Sequence, residues 1–190
     1  MGDPRRLRKK YETPMHPWRR ENLEEEKVLV KEFALKNKHE LWKMRSALRA
    51  FKNQAKKLIA ARGSQAARER VQLIQRLERL GLVRSDAPLE DILDLTVRGI
   101  LERRLQSIAF RKGFARSMEQ ARQFIVHRHV TIAGKRVTAP SYLVQRAQEA
   151  VIQFASRSSL ANAGHPERAR PEQASPPPQA ASEAPTPEAA

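Results

Sequence analysis

The sequence predicts a mainly α protein with a small α+β module: a helical N-terminal domain, then two helices and a short antiparallel sheet, then a disordered C-terminal tail. Three observations predict it. Apolar residues recur every three or four positions in three long stretches before residue 81. The period changes from helical to two just past His129, around an Ala133-Gly134 turn. Seven prolines fall between residues 166 and 187, among Ala, Ser and Glu, in a stretch that cannot bury a core. The divisions expected are an N-terminal arm at 1–20, a helical domain at 21–102, a module at 103–157 and a tail at 158–190.

The arm carries Arg5, Arg6, Arg8, Lys9, Lys10, Arg19 and Arg20, and Pro14 and Pro17 break any helix in it. Tyr11, His16 and Trp18 interleave with these cations, a mixture suited to stacking on bases and sugars. Residues 22–36 read as a helix with Val28, Phe33 and Leu35 as apolar positions, and Glu24-Glu25-Glu26 near its start suits the N-terminal dipole. A second helix runs from Lys38 to Arg62 and ends at Gly63; Leu41, Met44, Leu48, Phe51, Ala55, Leu58 and Ile59 form its stripe. Lys43, Arg45, Arg49, Lys52, Lys56 and Lys57 give its other face one dominant sign, which argues for phosphate contact. Gln65–Leu80 is a third helix, with Val71, Ile74, Leu77 and Leu80 inward and Gly81 as its stop. Asp86 is a candidate cap, and Leu89–Leu95 a short acidic helix that helps pack the helical domain on the module.

Glu102–Lys112 reads as an amphipathic helix closed by Gly113, the residue type that best tolerates the left-handed conformation after a helix end. Ser117 opens the next helix, and Gln120 completes a Ser-x-x-Gln capping box. Met118, Ala121 and Ile125 are its apolar stripe. Val130-Thr131-Ile132 and Lys135-Arg136-Val137 form a hairpin, whose turn is weakened because Ala133 takes a positive φ only at a cost. Ala150–Phe154 reads as a strand that joins the sheet.

Formal charge is +16 with pI near 11.0, far beyond what solubility requires, and it points to a polyanion. The charge is uneven. Residues 103–158 hold 11 Lys/Arg against 2 Asp/Glu, while residues 63–102 hold 6 against 7. Ordinary solvated faces mix signs, so a segment this one-sided points to nucleic acid. No run approaches the ~18 apolar residues of a membrane span, and no signal-peptide pattern opens the chain, so a cytoplasmic location without a membrane partner is expected. There is no cysteine, hence no disulfide and no thiolate metal site. His127 and His129 lack a third ligand nearby, and Asp91 and Asp94 cap and solvate a short helix better than they make a catalytic pair. No nucleotide-binding or nucleophile motif occurs, so neither metal, cofactor nor enzyme activity is expected.

Here the residues meet a known family. Arg104-Leu105, Lys112-Gly113, Ala115-Arg116-Ser117, Ala121-Arg122-Gln123, Ile125, His127-x-His129-Val130 and Gly134-Lys135 resemble the RNA-binding module of the small-subunit ribosomal protein S-four family. Leu89–Val97 and Ala139-Pro140-Ser141-Tyr142 resemble the same family outside the module, and Lys9–Pro14 with Trp18 resemble its archaeal and eukaryotic branch. The resemblance spans residues 1 to about 155. Two departures stand out: Ala133-Gly134 replaces the Asn-Gly of many members, and the cysteine-ligated zinc of some members has no ligands here.

The resemblance implies a structural constituent of the small ribosomal subunit that binds its ribosomal RNA. It further implies a place at an RNA helix junction, an early role in assembly, and neighbours among small-subunit ribosomal proteins and messenger RNA where it enters. The residues expected at RNA are Arg104, Arg111, Lys112, Arg116, Ser117, Arg122, Gln123, His127, Arg128, Lys135 and Arg136 in the module. The arm adds Arg5, Arg6, Arg8, Lys9, Lys10, Tyr11, Trp18 and Arg19, and the second helix adds Lys43, Arg45, Arg49, Lys52, Lys56 and Lys57. Neutralising ~8 phosphates would give a log–log salt slope near −7. Two other readings fit part of the pattern: a free-standing RNA-binding regulator or RNA-modification subunit with the same module, and a helix-turn-helix DNA-binding factor with a recognition helix at 117–126.

Overall fold

The computed structural model describes residues 9, 11–85, 87–162 and 164–168. Among these are eight α-helices and one three-stranded sheet, the six expected helices joined by the unexpected α5 and α8: α1 Arg20–Glu32, α2 Lys38–Ala60, α3 Ser64–Arg79, α4 Asp91–Asp94, α5 Val97–Glu102, α6 Leu105–Arg111, α7 Met118–Val126, β1 Val130–Ile132, β2 Lys135–Arg136, α8 Arg146–Glu149 and β3 Ile152–Phe154. No helix among them is long and apolar enough to cross a membrane.

The 23-residue α2 is the spine. Asn37 caps it, accepting from the Glu40 amide, and α1, α3, α4 and α5 all pack on it. One face buries Phe51, Ala55 and Leu58 against Leu73 and Leu77 of α3 and Ile92 of α4. Its N-terminal end buries Leu41 against Phe33, Leu35 and Leu101, with Met118 of α7 packed alongside. The second cluster therefore already belongs to both halves of the molecule.

Several expectations change in detail. The first helix stops at Glu32, so Phe33 and Leu35 reach the core from the turn after it, and Val28 is exposed. Val71 is also exposed, at 54 %; Leu77 is buried and Ile74 and Leu80 pack on the core as expected, and Ala66 and Leu73 join them on the inward face of α3. The acidic helix shrinks to Asp91–Asp94. Thr96 then caps the separate helix α5, accepting from the Gly99 amide, before the chain reaches α6. The expected cap Asp86 lies outside the described residues.

Four helices end alike. After α1, α3, α6 and α7 the residue just past the cap has positive φ: Ala34, Gly81, Gly113 and Arg128. Its amide and the next one bond back into the last turn; Gly113 N–H donates to Phe110 and Phe114 N–H to Ala109, at 2.9 and 3.0 Å. Gly113 meets its sequence expectation. Ala34 and Arg128 end their helices the same way without glycine's freedom.

In the module, Leu105, Ile108 and Ala109 of α6 meet Ala121, Phe124 and Ile125 of α7, with Val130, Ile132 and Ile152 of the sheet beneath. The sheet order is β2-β1-β3, both pairings antiparallel, so the strand at 152–154 joins as expected. Thr131 faces Arg136 and Ile132 faces Lys135, leaving a two-residue turn. Ala133 and Gly134 both have positive φ, +49° and +77°, as a type I′ turn demands. After the hairpin, Leu143 bridges back to Arg104, and the Leu105 amide donates to Tyr142.

The tail boundary moves. Residues 158–162 and 164–168 pack on the module instead of leaving it at 158. Leu160 is buried in the module core, Ser158 Oγ meets His129 Nδ1 at 2.7 Å, and the Arg168 guanidinium lies over Phe154 at 5.2 Å. The remaining stretch, 169–190, lies outside the described residues, and with it the expectation of disorder there. Leu160→Ala should lower unfolding free energy by about 2–4 kcal/mol, read from urea denaturation. A value under ~0.5 kcal/mol would mean that this segment does not hold the core.

Candidate nucleic-acid interface

The exposed end of the module is built by three short elements. Arg111 and Lys112 stand at the C-terminus of α6, where cations are favoured by the helix dipole. Ser117 starts α7 and its hydroxyl accepts from the Gln120 amide at 3.1 Å. The reciprocal half of the capping box is displaced by one residue: Gln120 Oε1 accepts from the Arg116 amide at 2.7 Å. Lys135 and Arg136 make up β2, an edge strand with both side chains exposed.

Gln123, His127, Arg128, Lys135 and Arg136 are exposed, and the three cations Arg128, Lys135 and Arg136 have no ion pair within the described residues. Arg111 is held loosely by Glu102 at 3.3 Å, and Lys112 donates to the Glu149 carbonyl. Arg116 donates to the Pro166 carbonyl, while Gln120 Nε2 donates to Glu167 O at 3.1 Å. The segment that follows the module thus lies across the start of α7.

Arg128 is held at φ +66°. A side chain there is less stable than glycine would be, by roughly 1 kcal/mol, and nothing in the core uses this residue. A cation stands at a corner that favours glycine. Arg128→Gly should therefore stabilise the fold by ~0.5–1 kcal/mol and weaken RNA binding about tenfold, measured by thermal melting and filter binding. Loss of stability would show that the arginine is structural.

Two expected contacts turn out to be occupied. Arg104 is 1 % exposed and its guanidinium pairs with Glu40 of α2. It is buried between the halves of the molecule and leaves the candidate surface. Arg122, 23 % exposed, pairs with the other oxygen of Glu40 at 2.7 Å and keeps only its outer edge accessible. One carboxylate thus holds two arginines of the module. Burial pushes the Glu40 carboxyl up, but hydrogen bonds from Arg122 and Arg104 and their positive charges outweigh it, and the net displacement is below the usual value of 4.5.

Gln106 adds a second tie. Fully buried on α6, its amide donates to the Met118 carbonyl at 2.9 Å and to those of Phe33 and Ala34 at 3.3 and 3.4 Å. Sequence reasoning finds neither Glu40 nor Gln106. Glu40 carries one signal: it is the lone acid between Glu32 and Glu69, inside a run of cations.

The α2 face also divides. Arg45 is drawn inward by Glu26, a carboxylate only 2 % exposed that also takes the Trp42 indole at 3.0 Å and Lys38 at 3.2 Å. Arg45 therefore fastens α1 to α2 and keeps only part of its side chain accessible. Arg49 pairs with Glu12 of the arm. Lys43, Lys52, Lys56 and Lys57 keep no ion pair among the described residues. Arg49, Lys52 and Lys56 share one stripe at helical spacing, and Lys43 and Lys57 lie off it.

The described part of the arm, residues 9 and 11–19, is irregular and lies on this chain's own helix. Tyr11 packs against His39 and Trp42 with ring centroids 5.3 and 6.3 Å away, Lys9 sits over the Tyr11 ring, and the Glu12 amide donates to Ser46. Trp18 is exposed, and Arg19 pairs with Glu21 at 2.6 Å. Arg5, Arg6, Arg8 and Lys10 lie outside the described residues. No group of three His, Asp or Glu that could hold a metal occurs among those described.

Known proteins match this chain along most of its length. Residues 103–149 match the S4 domain, the segment from Arg103 through α8. The small ribosomal subunit protein uS4 of Methanococcus maripaludis is 50 % identical over 169 residues, spanning 88 % of this chain and 95 % of its own. The namesake from Methanococcus aeolicus is likewise 50 % identical, over 88 % of this chain and 96 % of its own. The chain belongs to the uS4 family. Membership covers the helical domain as well as the module, so the interface between them, with Glu40 at its centre, lies within the part shared with the uS4 relatives. It also accounts for the resemblance at Leu89–Val97, which an S4 domain alone would not carry.

Proposed function

We propose that this uS4-family protein is a structural component of the small ribosomal subunit, not an enzyme, and that it binds ribosomal RNA through the exposed end of its module. The observation that carries this is the cluster of cations after α7 and on the hairpin, without an ion pair among the described residues, set on a packed core within a chain that matches uS4 over 88 % of its length.

Binding begins with counterion release, because each neutralised phosphate frees condensed cations. Specificity comes from RNA shape, since the A-form major groove is too narrow for side chains. Arg111, Arg116, Arg128 and Arg136 offer planar guanidiniums for bidentate phosphate contacts, and Lys112 and Lys135 act as point charges. Gln123, His127 and the Ser117 hydroxyl reach sugars and phosphates. Lys52 and Lys56 on α2, with the arm, extend the grip to adjacent RNA. Because the core fixes α6, α7 and the hairpin relative to one another, the surface suits a rigid target such as an RNA helix junction. Early assembly, contacts with neighbouring ribosomal proteins, messenger RNA nearby where it enters and a ribosomal place in the cytoplasm belong to the same reading.

Sequencing the RNA crosslinked to this protein in its own cells tests the proposal. Reads concentrated on one junction of small-subunit ribosomal RNA are expected. Reads scattered over transfer RNAs or messengers would overturn it in favour of a regulator or modification subunit.

A further inference from the structure

A cleft of about 470 Å³ opens where the arm, the first turns of α2 and the module meet. Tyr11, His39, Glu40, Lys43, Arg122 and Ser141 line it. One wall is aromatic: the Tyr11 and His39 rings lie 5.3 Å apart at 59°, and Trp42 closes on His39 edge-on at 5.4 Å. Cations border the same cleft: Lys43 lies one helical turn beyond His39 on α2, and Arg122 comes from α7. Lys43 is exposed without an ion pair among the described residues, and Arg122 keeps its outer edge accessible. Glu40, the one acid of the lining, is already matched by two guanidiniums, so it does not repel an anion.

An aromatic wall with cations beside it in an open cleft suits a ligand with a π-face at one end and a negative charge at the other. A nucleotide has that form. Stacking accepts any base, while the charges hold its phosphate. The cleft is continuous with the proposed RNA surface through Arg122 on α7. Nothing in the sequence joins Tyr11 to Arg122, which lie 111 positions apart.

We propose that this cleft receives one unstacked nucleotide of the bound RNA, its base against Tyr11 and His39 and its phosphate toward Lys43 and Arg122. The proposal rests on the RNA-binding reading above and deepens it. It gives the arm a definite role, because Tyr11 is held on α2 by its own chain before RNA arrives; Lys9, 5.7 Å from the Tyr11 ring centroid, moves aside when the base stacks.

The test uses the full chain and a transcript of the small-subunit ribosomal RNA from the same organism. Ultraviolet crosslinking followed by mass spectrometry should find a nucleotide adduct on the peptide carrying Tyr11 or His39. Tyr11→Leu with His39→Ala should bind about 10- to 30-fold more weakly, and Tyr11→Phe, which keeps the ring, within about twofold of the unaltered protein. Absence of an adduct, full affinity in the double variant, or a Tyr11→Phe defect equal to the double variant's would overturn the proposal. The hairpin variant Lys135→Glu with Arg136→Glu separates the two layers. If it loses binding while the double variant does not, only the cleft assignment fails. If it binds fully, the reading of the module as the RNA surface fails.

Discussion

Reversing the charge of Lys135 and Arg136 together should reduce affinity for small-subunit ribosomal RNA by about 100- to 1,000-fold at moderate salt. Each charge-assisted contact is worth ~1.5–3 kcal/mol, and reversal adds repulsion from the phosphate. Two contacts at the low end already give ~3 kcal/mol, or about two orders of magnitude. The fold should not feel the change. Both side chains are exposed on the edge strand and pair with no carboxylate among the described residues, while the register rests on Thr131, Ile132 and the positive φ values of the turn. The paired measurement is a filter-binding titration with a urea melt of the same variant. Unchanged affinity would remove the hairpin from the interface. A parallel loss of stability would mean that the effect came through the sheet.

The second large effect is on stability and comes from Glu40. Glu40→Ala leaves Arg104, only 1 % exposed, without its carboxylate. Breaking one side of a buried ion pair typically costs about 3–5 kcal/mol, because the remaining charge stays out of water. Arg122 has more access to solvent and should contribute less. Glu40→Gln keeps the shape and a hydrogen-bonding oxygen, and should lose less than Glu40→Ala in urea unfolding. Equal, small losses would show that the two guanidiniums are held by other groups.

The same residue gives a pH dependence with a definite sign. Glu40 binds protons less readily in the folded protein than in the unfolded chain, where its value is the usual 4.5. Its contribution is therefore complete above about pH 4.5 and is lost as pH falls through the lower, folded value. The stability gap between the unaltered protein and Glu40→Gln should be constant from neutral pH to about 5 and close below that. A gap that widened on acidification would contradict the direction assigned to Glu40.

Glu40 also ties the two halves of this molecule together. Its carboxylate leaves the first turn of α2 and reaches both ends of a helix pair in the module, Arg104 before α6 and Arg122 within α7. Gln106 gathers carbonyls from the end of α1 and the start of α7. A buried polar arrangement of this kind adds little net energy compared with apolar packing, but it permits one relative placement and penalises others. The placement brings Lys43 of α2 alongside Arg122 of α7 in one cleft.

Much of this protein follows from its sequence alone. The helices at 38–60 and 64–79, the Ser117 cap, the glycine after α6, the hairpin and its third strand are dictated by local rules: periodicity, capping and the conformations that glycine permits. The charge distribution points to nucleic acid without any fold, since composition is a property of the chain. What the tertiary structure decided is which of those charges remain available. Arg45, Arg104 and Arg136 look alike in sequence. Arg104 is consumed inside the protein by Glu40 and Arg45 is tied to Glu26 at a part-buried position, whereas Arg136 is displayed beside Lys135.

A carboxylate 64 positions from Arg104 settles where that arginine goes, and no local pattern reports a partner so distant. The same holds for residues 158–162 and 164–168, which read as the start of a tail but whose Leu160 fills the module core. Local physics wrote the elements, and the pairing of groups far apart in the chain selected which cations stay at the surface.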